Sequence, residues 1–444
     1  MDGASIGESG ATDMQADAIV LGAGVSGLVS AAVLLDQGFH RVVLVDEYPS
    51  PGGNHLDWSS GGYTFDVGSL IFQDDSPLLR HFPEMLERYV AISPSWARLT
   101  PQAIVTSYPV SVKDDVLRAG PVEVLRILGS ALFARLFQRK IGNAREFARF
   151  WIGARLLRRS GLDAYMTRFY GVESDQIDVE LARKRMLWIS ENARLRSVLA
   201  RVLPRASAGA TNRQLARPRE GFAHLYEAAV RRLEARGAVF LLGRSLERLA
   251  RSEDGLSLQC GSTRIHAGRV ISTIPIRRAE RLCGLPETRQ LEAITLVTLY
   301  FSFAGERGFD CSVLYNFSFE GAWKRLTVYS DFYGRAEGRE YFAVEVVTRP
   351  DVSTLDEAEA DFRRHVTANR LFRGDLVREG GQRLENAYPI YRRGADEAAG
   401  RAMARLRDFG VESFGRQGGF DYQPTARVST LEAERRIGSP TGGT

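Results

Sequence analysis

Cysteine is scarce in this chain of 444 residues: Cys260, Cys283 and Cys311 are its three, widely spaced. No CxxC pair forms, and no histidine stands near them at ligand spacing. A disulfide framework and a zinc site are thereby excluded, no metal is called for, and a reducing cytoplasm is the compartment that fits. Lysine is almost as rare, with Lys113, Lys140, Lys184 and Lys324 the four among 59 basic residues. The arginine excess gives a net charge of +5. No aromatic-basic RNA motif or zinc-finger spacing accompanies it, so nucleic acid is not an expected partner. Long apolar runs are also missing. Nowhere do about 18 uncharged apolar residues follow one another, so no segment is expected to span a bilayer. Residues 1–16, "MDGASIGESGATDMQA", have neither a basic start nor an apolar core. They read as a disordered leader.

What is present is an ordinary globular composition, 44% hydrophobic and 25% charged, with enough chain for two or three domains. "DAIVL" (17–21) reads as a short buried strand. "GAGVSG" follows, placing Gly22, Gly24 and Gly27 in a G-x-G-x-x-G spacing. Next come the apolar helix "LVSAAVLLDQG", closed by Gly38, and a second strand, "RVVLVD" (41–46), ending at Asp46. The first glycine permits a tight turn, the second admits a pyrophosphate to the backbone, and the third lets helix and strand pack closely. An acid at the end of the second strand stands where ribose hydroxyls are bound. Strand, fingerprint, helix, strand and acid fall in order within one βαβ unit, which makes this a dinucleotide site.

Gly52, Gly53 and Asn54 come shortly after the acid, and "GGYTFDVGSLIF" (61–72) then reads as a strand-like segment. This arrangement resembles the FAD enzymes that include UDP-galactopyranose mutases, protoporphyrinogen oxidases, phytoene desaturases and amine oxidases. In those enzymes a second Gly-Gly follows the acid and an "FD.G" segment runs close to the flavin. The resemblance implies a resident FAD, held by Gly22, Gly24, Gly27, Asp46, Gly52, Gly53 and Asn54. Two later segments, "ENAYPIYRRG" (385–394) and "FGRQGGFDYQPTARVSTLEAERRIG" (414–438), resemble the C-terminal half of a UDP-galactopyranose mutase. By that resemblance Arg416 contacts the flavin nucleotide, Tyr388 and Tyr422 hold a substrate diphosphate, and "GAWKRLTVYSDFY" (321–333) presents a diphosphate-binding Arg325. Guanidinium and hydroxyl donors held rigidly are what a nucleotide diphosphate requires. A plainer alternative stands beside each: an ion pair for Arg325 and packing with a wetted hydroxyl for Tyr388.

The chain departs from the mutase pattern at "DVGSLIFQDD" (66–75), which has no histidine where mutases carry a histidine-rich segment. His55, just after the Gly-Gly-Asn, is expected to face solvent or to pack. "ELARKRMLWISENARLR" (180–196) offers Arg183 and Arg185 as a second diphosphate arginine, with the choice open. Residues 115–203 read as helices with arginines on their polar faces. Over 131–159 two readings compete: a basic amphipathic surface for an anionic membrane, as for a lipid-linked substrate, or a packed subdomain with a solvated arginine face. The second is the expectation. Residues 287–348 carry β-branched and aromatic runs at hairpin spacing, an antiparallel sheet forming one wall of the substrate site; Tyr315, Trp323 and Tyr329 could stack on a base or sugar, but most such aromatics are expected to pack the sheet.

The fold class that follows is α/β: a Rossmann-type FAD-binding domain with a helical insert and an antiparallel-sheet substrate domain. The expected divisions after the leader are 17–114, 211–285 and 373–444 for the flavin domain, 115–210 for the insert and 286–372 for the substrate domain. The mutase resemblance implies reduced flavin as a covalent catalyst on a nucleotide-diphosphate sugar, with no net redox. Arg325, Tyr388 and Tyr422 would then position the substrate and stabilise its diphosphate. The rival is an FAD-dependent oxidoreductase of desaturase, dehydrogenase or amine-oxidase type. Amine oxidases often place a lysine near the flavin, and Lys324 alone lies in a segment expected there. A non-catalytic flavin-binding protein is the third class. The sequence names neither the sugar, the base, nor the oligomeric state.

Overall fold

The computed structural model describes residues 12–68, 70–110, 112–185 and 213–438. Short β-branched runs build its first sheet, whose strands, numbered along the chain, lie in the order β10 (Ala238–Leu242), β2 (Val42–Asp46), β1 (Thr12–Leu21), β13 (Thr263–Ser272), β12 (Gly255–Cys260), β11 (Leu246–Ser252). β19 (Val411–Ser413) joins the last turn of β13. β10, β2, β1, β13 and β19 all run parallel. The two-residue period of a strand sorts their apolar side chains into two cores. Ile19, Leu21, Val43 and Val45 face one side with Val270 and Leu406, while Ala18, Val20, Val42 and Leu44 face the other with Leu28 and Leu225. A sheet buried on both faces needs uninterrupted apolar strands, and β2 is buried at every residue.

β1 begins inside the stretch expected to be a disordered leader. Thr12–Ala16 pair with Thr263–Ala267. The physical reason is alternation: Met14 and Ala16 turn toward the core while Thr12, Asp13 and Gln15 face water. Residues 1–11 of that expected leader lie outside the described residues.

The second sheet runs β18 (Phe372–Pro389), β14 (Ala293–Arg307), β17 (Glu340–Val347), β16 (Trp323–Val328), β15 (Val313–Asn316), β7 (Trp96–Leu99), β8 (Val105–Ser107). It is antiparallel except for the β15–β7 pair. The sheet takes strands from outside the expected 286–372 on both sides. β7 and β8 come from the segment assigned to the first flavin stretch, and β18 from that assigned to the third. β14 is fifteen residues long and largely buried, so it needs a partner along its whole edge, and the charged β18 supplies a polar outer strand. Trp323 and Tyr329 are fully buried. They pack the sheet and are not available to stack on a base.

Two small sheets connect these layers: the hairpin β3 (Asp57–Ser60) with β4 (Tyr63–Asp66), and β5 (Ile71–Gln73), β9 (Gln214–Ala216), β6 (Val90–Ile92). A buried guanidinium ties them together. Arg217 Nε donates to Asp66 Oδ1 at 2.7 Å, and its other nitrogens donate to the carbonyls of Thr64, Pro218 and Arg219. Burial raises the Asp66 carboxyl to about 7, with Arg217 pulling against that shift. Asp57 accepts the Phe222 and Ala223 N–H groups at 2.6 and 2.7 Å. It thus caps helix Phe222–Glu234, whose own N-cap, Gly221, has no side chain to do so.

The insert is helical as expected: Pro121–Phe137, Ala144–Ser160, Leu162–Tyr170 and Val179–Arg185. The expectation that its apolar stripes pack inward holds for Ala144–Ser160, where Phe147, Ala148 and Leu157 are buried. It fails for Pro121–Phe137. That helix packs Ile127 and Ala134 against its neighbour and turns the larger part of its apolar surface outward.

Candidate active site

Parallel strands place their carboxyl ends on one side, and ligands of open α/β sheets bind there. Here the ends of β1, β2, β13 and β19 open onto a cavity of about 370 Å³. Gly22 and Gly24 line it from the loop after β1, Asp46, Glu47 and Gly53 from the end of β2, Thr273 and Arg278 from beyond β13, and Arg416 from beyond β19. At Gly27 and Gly53 the fit is close. A β-carbon on Gly27 would lie 1.9 Å from the Gly22 carbonyl oxygen, and one on Gly53 would lie 3.1 Å from Gly24 Cα. The fingerprint loop and the second Gly-Gly therefore touch backbone to backbone. Helix Val25–Asp36 starts at Gly24 with no side-chain cap, which leaves its first N–H groups and its positive dipole for a phosphate.

Asp46 stands at the end of β2, as expected. Its carboxylate accepts the Ala23 and Tyr48 N–H groups at 2.7 and 2.9 Å, so it also fastens the glycine loop to the strand. Burial raises its carboxyl above the usual range. Asn54 lines the cavity too, and donates Nδ2 to the Ala387 carbonyl at 2.8 Å, joining the Gly-Gly loop to the end of β18.

A second cavity, of about 420 Å³, continues the first. Asn54, His55, Arg416 and Gln423 border both. Gln423 is 2% exposed, and its Nε2 has no hydrogen-bond partner while its Oε1 accepts from Ser429. A buried donor left over at the junction of the two cavities is what a bound group with acceptor atoms would satisfy. Together with the glycine contacts and the uncapped helix, it makes the cleft fit a dinucleotide lying across both cavities.

The second cavity brings together Arg325, Tyr388, Tyr422 and Arg416, with Phe169, Tyr170, Tyr315 and Tyr391 as aromatic walls. The Arg416 guanidinium lies 5.3 Å from the Tyr388 ring centre. No carboxylate among the described residues pairs with it. Arg325 does have a partner. A β-bulge at Lys324 lets Trp323 pair with Val346 and Arg325 with Glu345, so both cations converge on the one carboxylate. Lys324 Nζ lies 2.8 Å from Glu345 Oε2, and Arg325 Nε lies 2.7 Å from Oε1. Burial works against these charges. Even so, the two cations hold the Glu345 carboxyl below its usual range, and Glu345 raises Arg325. Lys324 Nζ also sits 4.7 Å from the Tyr388 ring centre, so that ring meets one cation in Lys324 and another in Arg416.

His55 packs rather than facing solvent. It stacks on Phe222 with ring centres 4.5 Å apart, and its Nδ1 lies 2.6 Å from the Tyr226 hydroxyl. Desolvation, helped by Arg416, lowers its pKa to about 3. Unfolded histidine titrates near 6.5. The native state therefore binds fewer protons between those values, and the stability His55 contributes is complete above pH ~6.5 and is lost as pH falls toward about 3. The slope is at most about 1.4 kcal/mol per pH unit. His55→Gln keeps a partner for Tyr226 without titrating, so its unfolding free energy should fall less steeply than wild type on acidification below pH ~6. Equal slopes in denaturant titrations at several pH values would contradict this.

Arg183 does not join the site; it is exposed and pairs with Glu180. The Arg185 side chain lies outside the described residues. Three contributors escaped the sequence reading. Glu345 was signalled only by one acid inside the apolar run "YFAVEVV". Gln423 had no signal. Glu47, which pairs with Arg278 at 2.6 Å on the cavity wall, was overshadowed by its neighbour Asp46.

A family profile described as flavin containing amine oxidoreductase matches residues 25–306. The chain belongs to that family and is a flavin-dependent enzyme. Among solved structures, one of reduced UDP-galactopyranose mutase superimposes with a TM-score of 0.76 at 16% identity, covering 95% of this chain and 94% of that one. A protoporphyrinogen oxidase described as putative, from Exiguobacterium sp. 255-15, gives 0.71 at 15% identity, covering 96% and 98%. At such identities the likeness establishes the fold. Prolycopene isomerase 1 of an Oncidium hybrid cultivar is 46% identical over 55 residues, and that of Daucus carota 44%. These matches span 12% of this chain and 9% of those relatives.

Proposed function

We propose that this flavin-dependent enzyme binds FAD and, with the flavin reduced, rearranges a nucleotide-diphosphate sugar with no net redox change. The observation that carries the reading is the convergence of Arg325, Tyr388 and Tyr422 on one cavity that continues the dinucleotide cleft. When bound, reduced flavin supplies a nucleophile that can displace a diphosphate from an anomeric carbon and later return it. The protein's own part is positioning and charge. Lys324, Arg325 and Glu345 together leave one positive charge on the cavity wall, suited to a diphosphate leaving group. The Tyr388 and Tyr422 hydroxyls are donors for its remaining oxygens, and the aromatic walls exclude water from the reacting centre. Arg416, at the junction of the cavities, would hold the flavin nucleotide.

The test is nucleotide binding to the holoenzyme. Arg325→Ala should weaken UDP, dTDP or GDP binding by roughly ten- to a hundredfold, the range for one charge-assisted contact. Tyr388→Phe and Tyr422→Phe should each cost less. Unchanged affinity in Arg325→Ala would remove the diphosphate reading. A second reading, oxidation of an amine or polyene-like substrate, draws on the aromatic walls and on an Arg325 that already has Glu345 as its partner. That chemistry predicts bleaching of oxidised flavin by substrate and indifference to nucleotide diphosphates.

A further inference from the structure

We propose that the outward face of helix Pro121–Phe137 docks this protein on an anionic phospholipid surface. Seven of the thirteen exposed large apolar side chains among the described residues lie on this one helix. They are Val122, Leu125, Leu128, Leu132, Phe133, Leu136 and Phe137, each 58–70% exposed. Their spacing puts them on one side, opposite Ile127 and Ala134, which pack on helix Ala144–Ser160. Single exposed leucines are ordinary, but a contiguous apolar face of this kind marks an interaction surface.

Charge decides what covers it. Between Arg118 and Arg159 ten arginines and lysines stand against two glutamates, with Arg118 and Arg145 paired to carboxylates outside that stretch. Among the described residues no carboxylate pairs with Arg139, Lys140, Arg149 or Arg158, and all four are exposed. A second copy of the chain would set one excess of positive charge against another. An anionic bilayer offers both an acyl layer for the leucines and phenylalanines and lipid phosphates for the cations. No helix among the described residues is long and apolar enough to cross a membrane, so this helix would lie in the interfacial plane. The inference does not depend on the substrate assigned above.

The experiment is sedimentation of the full-length holoprotein with vesicles of equimolar phosphatidylcholine and phosphatidylglycerol, or of phosphatidylcholine alone. Wild type should bind the anionic vesicles, and at least about tenfold more weakly the neutral ones or the anionic ones in high salt. The triple variant Leu125→Ser, Leu132→Ser, Leu136→Ser should lose binding. Should that variant fail to fold, Arg139→Ala with Lys140→Ala leaves the apolar face intact and should still weaken binding about tenfold. Three results overturn the proposal. One is no sedimentation of wild type with anionic vesicles. Another is equal binding to neutral vesicles. The third is a dimer in light scattering that Leu132→Glu dissociates while vesicle binding is absent, which would assign the face to a second copy.

Discussion

Gly27→Ala is expected to yield folded protein without bound flavin. The added methyl would need to occupy a position 1.9 Å from the Gly22 carbonyl oxygen, well inside any permitted contact. Neither side yields easily. Gly22 lies directly beyond β1 and donates its N–H to the Val45 carbonyl at the end of β2, and Gly27 is in the first turn of a helix buried against the sheet. The helix must retreat, carrying with it the N–H groups that face the cavity. Overpacking of this kind costs roughly 1–3 kcal/mol or more. Because it falls on the N–H groups that open onto the cavity, most of it should appear as lost flavin affinity, about a hundredfold. Flavin absorbance per mole of purified protein measures it, with circular dichroism to show the fold persists. Stoichiometric flavin in the variant would contradict the geometry.

Arg217→Met should lower the unfolding free energy by about 3–5 kcal/mol, the cost of leaving a buried charge without its partner. Arg217 and Asp66 are both fully buried, and the guanidinium also serves three carbonyls. Removing it strands Asp66, whose other oxygen, Oδ2, already has no hydrogen-bond partner. Burial raises the Asp66 carboxyl, so the orphaned acid can escape its penalty by taking a proton. The loss should therefore be smaller at mildly acidic than at mildly alkaline pH. The double variant with Asp66→Asn should be less destabilised than Arg217→Met alone, since no buried charge remains. Denaturant titrations of the two variants at both pH values decide the matter. A loss under 1 kcal/mol would show that the pair is not what holds β4 to the segment that follows β9.

The glycine loop and acid of the candidate dinucleotide cleft could be placed from the sequence because they are local. Gly22, Gly24, Gly27, Asp46 and the Gly52–Gly53 pair fall within 32 consecutive residues, and a βαβ unit is a short-range object with a fixed order. The touching of Gly24 and Gly53 was not legible as a contact, although the second Gly-Gly advertised it. The wall of the second cavity could be placed in part by its residues, while its electrostatics stayed hidden. Arg325 and Tyr388 could be named from their segments, but that Glu345 would gather Lys324 and Arg325 depends on a β-bulge, which leaves no mark in the run "AWKRLTV". Strand β18 was not legible because its charged sequence, suited to the outer edge of a sheet, has none of the apolar alternation by which strands are found. The exposed face of Pro121–Phe137 was misread for the opposite reason. Apolar periodicity shows that a helix has something to bury, not whether the chain itself supplies the cover.

The most direct test is dithionite-reduced and oxidised holoenzyme, each mixed with UDP-, dTDP- and GDP-sugars, with sugar ring form followed by NMR. Conversion of one sugar in the reduced sample alone, abolished in Arg325→Ala, is the predicted result. Binding of no nucleotide sugar in either redox state would contradict it, and the cavity of Arg325, Tyr388 and Tyr422 would then belong to an oxidoreductase.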